Sequence, residues 1–130
     1  MGQNSTEVAY GFGQMGSVFT DLADTPITPP TGKVFVAITF LADTQLEITS
    51  GTGEGLTADT SYPNVEYIGT AVAAHNVAVG SETVTSGGGG LIIDNGNSFP
   101  KGLTIYGRWT NISLQGSDYT HGIIVYYGPE

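Results

Sequence analysis

Hydrophobic and polar positions along the chain alternate on a two-residue period rather than a helical one. From Lys33 onward, Val34, Val36, Ile38 and Phe40 alternate with Phe35, Ala37, Thr39 and Leu41, and both sets are largely apolar. That pattern predicts a strand buried on both faces. Gln45 to Thr49 alternates polar with apolar, as in a strand with one wet face, and a Gly-rich loop runs from Ser50 to Ala58. Val65 to Ile68 reads as a short strand. The stretch Thr70 to Val79 mixes alanines, which suit one or two helical turns, with Val72, Val77 and Val79, which suit a strand. Ser86-Gly87-Gly88-Gly89-Gly90 is a loop. Leu91-Ile92-Ile93 then enters Asp94-Asn95-Gly96-Asn97, where Asn-Gly is a hairpin signal because a type I′ turn needs positive φ at both central residues. Leu103 to Trp109 and Ile123 to Tyr127 complete the strand list.

The first 32 residues differ. Pro26, Pro29 and Pro30 exclude a helix there by removing donors and holding their predecessors extended. Val8, Tyr10, Phe12, Val18, Phe19 and Leu22 are nonetheless apolar. The expectation is an extended N-terminal arm over 1–32, docked on its own domain or on a neighbouring subunit, ahead of a single β-domain over 33–130. With turn signals at short spacing and no long amphipathic helix, the fold class is all-β: an antiparallel β-sandwich or small barrel, jelly-roll-like.

Composition narrows the function. The 130 residues suit one domain. The chain carries 3 basic residues against 12 acidic ones, for a net charge of −9. Three cations cannot build the positive face that counterion release from nucleic acid requires, nor a surface for anionic membranes. Nucleic acid and membrane are therefore not expected partners. There is no Cys, which removes disulfides, thiol catalysis and thiolate metal sites. The first residues lack the basic and apolar regions of a secretory signal.

Short motifs add little chemistry. Gly11-Phe12-Gly13-Gln14-Met15-Gly16 has the G-x-G-x-x-G spacing, but neither a buried strand before it nor a helix after it is predicted. Gly2 with Thr6 fits a myristoylation pattern without the basic cluster that such an anchor needs. The sequons at Asn4 and Asn111 lack a secretory context. His75 and His121 have no nucleophile elbow or metal-binding spacing around them, and loop histidines are ordinarily solvated or hydrogen-bonded. Glu54, Asp59 and Asp94 lie in Gly-rich loops of the kind that hold calcium, without EF-hand spacing. Neither a catalytic residue nor a metal site nor a cofactor is assigned. Arg108 beside Trp109 and Tyr106 forms a candidate contact for another subunit.

The run Ser98-Phe99-Pro100-Lys101-Gly102-Leu103-Thr104-Ile105-Tyr106-Gly107-Arg108-Trp109-Thr110, the ending Gly122 to Gly128, the strand Lys33 to Thr44 and the stretch Tyr67 to Ala71 together resemble small structural proteins of tailed bacteriophages, especially cyanophages and marine phages. The resemblance spans roughly residues 33–128 and leaves the arm outside. It implies a non-enzymatic virion protein, either a capsid decoration (cement) protein or a head or tail accessory. It carries over no catalytic residue. On this reading the protein sits on the outer capsid surface after assembly in the host cytoplasm. Its partners are the major capsid protein and itself, as a homotrimer or homodimer. The contacts are Val8, Tyr10, Phe12, Val18 and Phe19 of the arm, with Arg108 and Trp109. The competing expectations are a carbohydrate- or receptor-binding module of a fibre or tail, stacking sugars on Trp109, Tyr62, Tyr119 or Tyr126, and a small hydrolase using His75 or His121.

Overall fold

The computed structural model describes residues 15–46, 55–61, 67–69, 93, 96–115 and 121–130. Seven strands run through them: β1 (Ser17–Thr20), β2 (Lys33–Phe40), β3 (Thr44–Gln45), β4 (Leu56–Ala58), β5 (Ser98–Phe99), β6 (Thr104–Ile112) and β7 (Ile123–Pro129). Among the described residues there is no helix. The fold is all-β and antiparallel, with a five-stranded sheet in the order β1-β7-β2-β6-β4 and a two-stranded sheet of β3 and β5. The expected strands at 33–40, 103–109 and 123–127 are all present. The expected elements at 70–79 and 86–92 and residues 94 and 95 of the 94–97 turn lie outside the described residues, as do Val8, Tyr10, Phe12, Tyr62, His75 and Tyr119.

Two P-x-G turns lead into the long strands. At Pro30-Thr31-Gly32-Lys33 the Lys33 amide donates to the Pro30 carbonyl (3.0 Å) with Gly32 at φ +83°. At Pro100-Lys101-Gly102-Leu103 the Leu103 amide donates to the Pro100 carbonyl (3.2 Å) with Gly102 at φ +87°. Both need positive φ at the third position, which glycine supplies without cost. The second turn is anchored to β2, because the Gly102 amide donates to the Phe40 carbonyl (2.7 Å) and the Phe40 amide to the Leu103 carbonyl (2.9 Å). The Phe40 and Phe99 rings stack with centroids 4.7 Å apart, joining the two sheets.

The register departs from simple alternation, and this decides which side chains form the core. Against β7, β2 carries an extra residue between Phe35 and Ala37, and against β4, β6 carries one between Trp109 and Asn111. A bulge resets the two-residue period. Phe35 and Ile38, three apart, therefore both enter the core, and so do Trp109 and Ile112. With Phe40, Leu46, Leu56, Leu114, Ile123 and Val125 they form the main cluster, all at 0–1 % exposure.

Residues 17–27 of the expected arm lie against the chain's own strands. β1 pairs with β7 over four residues, from Ser17↔Tyr126 to Thr20↔Ile123. Ala23 bridges Leu114, and Ile27 bridges Ile112. Pro26 lies between the two bridges, and Ile27 packs against the core. The described part of the arm thus docks on its own domain and enters β2 through the turn at Gly32.

Candidate interaction surface

Cross-strand partners in a sheet share a face, so the register sorts the side chains. Val18, Val125, Ile38 and Ile105 form one row, and Thr20, Ile123 and Phe40 the next, both directed at the core. The opposite face carries Ser17, Tyr126, Ala37 and Tyr106 in one row and Phe19, Ile124, Thr39 and Thr104 in the other. On this outer face Tyr106 is 65 % exposed and Phe19 54 %, whereas Ala37 is buried. The hydroxyls of Thr39 and Thr104 are hydrogen-bonded at 2.7 Å. Tyr106 and Tyr126 flank Ala37 from the two neighbouring strands, two strand spacings or about 10 Å apart.

β1 is an edge of the sheet. Its hydrogen-bond phase follows from the Tyr127 amide, which donates to the Gly16 carbonyl at 2.9 Å. Bonded pairs alternate along an antiparallel ladder. Val18 and Thr20 therefore bond to β7, and the N–H and C=O groups of Ser17 and Phe19 point away from it. Neither residue has a backbone partner on that side among the described residues. No charged residue lies within Ser17–Thr20, and the edge is flanked by Leu22 at 58 % exposure. Gly122 (φ +79°) lies tight beneath this strand: a Cβ there would stand 2.5 Å from the Thr20 carbonyl oxygen and 2.8 Å from the Phe19 ring. Phe19 is thus held against the β7 turn with its other side in solvent.

Among the described residues, the sequence-derived contacts Val18, Phe19, Arg108 and Trp109 do not form one patch. Val18 faces the core while its neighbour Phe19 faces out. Trp109 is fully buried, and its Nε1 donates to the Ile68 carbonyl at 2.8 Å. A buried indole with its one donor satisfied offers no ring to a subunit or a sugar, which corrects its assignment as a contact. Arg108 is engaged by polar groups among the described residues. Its Nε donates to Asp59 Oδ2 at 3.2 Å and its Nη1 to the Pro129 carbonyl at 3.1 Å, tying β4's end to the last strand. Asp59, 4 % exposed, also accepts from the Ser61 hydroxyl (2.5 Å) and amide (3.0 Å). Burial alone would raise its pKa, but the Ser61 bonds and the Arg108 guanidinium together outweigh that and hold it below the ordinary aspartate value. Asp59 and Arg108 thus form an ion pair with the carboxylate buried.

His121 is exposed in the turn before β7. Among the described residues no three His, Asp or Glu side chains gather as metal ligands. The features that periodicity did not reveal are the free edge of β1 and the outward Tyr106. The signal for the first was present in Ser17-Val18-Phe19-Thr20, a short β-branched and aromatic run followed by prolines. No family model, curated protein or solved structure matches the chain.

Proposed function

We propose that this chain is a non-enzymatic structural protein of a bacteriophage virion, a capsid decoration protein that stabilises the head by bridging subunits. The observation that carries the assembly role is the free edge of β1, with outward backbone groups at Ser17 and Phe19 and exposed Phe19 and Leu22 beside it. Unpaired edge groups of this kind are a template for pairing with another chain. Of the titratable groups that the sequence singles out, Asp59 is committed to Arg108 and Ser61, and His121 lies in an exposed turn. The phage assignment rests on the resemblance of the Phe99 to Trp109 segment. A net charge of −9 suits an outer shell surface, remote from packaged nucleic acid.

Quantitative mass spectrometry of purified virions tests this reading. A copy number comparable to the major capsid protein is expected. A few copies per particle would move the protein to tail or fibre, and absence would overturn the virion role. With Trp109 buried, the aromatic surface that the described residues offer a sugar-binding fibre module is the Tyr106–Ala37–Tyr126 row. Glycan binding abolished by Tyr106→Ala would favour that module over the decoration role.

A further inference from the structure

We propose that β1 is a self-association site: the β1 strand of a second copy of this chain adds antiparallel to its free edge, joining two five-stranded sheets into one across a twofold axis. This deepens the assembly role above by naming the partner of that edge.

The groups to be satisfied are the N–H and C=O of Ser17 and of Phe19. Only an extended backbone presents alternating donors and acceptors at that spacing. A twofold operation requires residue i to meet j and j to meet i. Placing Ser17 opposite Phe19 of the second copy, with the axis at Val18, satisfies all four groups on each strand. Shifting by two residues, so that Phe19 meets its own equivalent, leaves Ser17 facing Asp21 beyond the strand end. The chosen register sets Val18 opposite its equivalent on the core face, and each Phe19 over the small Ser17 on the outer face.

Met15 and Asp21 lie beyond the two ends of the strand, Met15 past Gly16 at φ +100°, and the register stops short of both. The strand itself carries no charge to oppose the approach. The edge is short, so the expected Kd is of order micromolar rather than nanomolar.

The test uses the full chain in sedimentation velocity from about 1 to 100 μM, a range that brackets a micromolar Kd. The expected species at the upper end has twice the 13.5 kDa chain mass. Phe19→Lys and Phe19→Pro should each weaken association at least about tenfold. The proline removes only an outward N–H, so the ladder to β7 keeps its donors. The near-UV signal of buried Trp109 reports whether each variant keeps its fold. Hydrogen exchange on the wild-type chain gives a readout independent of folding in the variants: the Ser17 and Phe19 amides should slow with rising concentration, while Val18 and Thr20, already bonded to β7, should not. A wild-type chain that stays monomeric throughout overturns the proposal. So does a dimer that persists in folded Phe19→Pro, or one whose formation leaves Ser17 and Phe19 exchange unchanged. No virion enters these measurements. A dimer without virion incorporation would sink the capsid role alone, and virion incorporation of a monomeric chain would sink the dimer alone.

Discussion

Asp59 is the clearest case of one side chain whose chemistry is fixed by its neighbours. Removing a carboxylate from water is costly, and a lone buried charge would protonate instead. Here Ser61 supplies two donors and Arg108 a charged one, so the ionised form is the one the fold prefers. The folded-state pKa is depressed. The linked stability is therefore fully present above the unfolded value of about 3.9 and is lost as pH falls through the folded value. Urea midpoints of the wild type should drop between about pH 5 and pH 2 by more than those of Asp59→Asn, which has no proton to take up at this site. Parallel falls in the two proteins would show that the ion pair contributes nothing to acid sensitivity. At neutral pH Asp59→Asn should itself be destabilised, by roughly 1–3 kcal/mol, because a buried Arg108 donor loses its charged acceptor.

At the level of strands, much of the fold is legible in the sequence, and what is not has an identifiable cause. The apolar runs at 33–40, 103–109 and 123–127 name the three central strands because each is rich in β-branched and aromatic residues. The P-x-G pairs mark the turns that deliver two of them. Neither bulge can be read from the pattern. With both faces of β2 apolar, alternation gives Phe35 and Ile38 opposite faces, and only the extra residue between Phe35 and Ala37 brings them together. The same ambiguity makes Trp109 readable as a surface contact, since Arg108 and Tyr106 beside it are polar or exposed. Gly107 is the local clue: a Cβ there would stand 2.6 Å from the Trp109 ring, so the indole lies flat over the strand where a side chain would otherwise be. Gly107→Ala should therefore cost about 1–3 kcal/mol through overpacking of a core that cannot give way. Gly102→Ala is the control. It meets open space and pays only for its φ of +87°, on the order of 1 kcal/mol. Equal losses in chemical denaturation would mean that Trp109 moves aside freely.

For the whole molecule, charge and edge chemistry pull in opposite directions. Each chain carries −9, so two copies repel before any strand can pair. At about 10 mM salt the Debye length is roughly 30 Å, comparable to the size of the domain, and the repulsion involves nearly every charge on both copies. At physiological salt the Debye length falls to about 8 Å and the long-range repulsion is largely removed, whereas the hydrogen bonds of Ser17 and Phe19 and the burial of Phe19 and Leu22 are almost unaffected. Self-association should therefore strengthen as salt rises, the reverse of a complex held by ion pairs. Sedimentation at fixed protein concentration across a salt series checks this directly. A dimer that dissociates as salt is added would place its stability in the charged rim rather than in the β1 edge. It would also predict that Asp21→Lys matters more than Phe19→Lys.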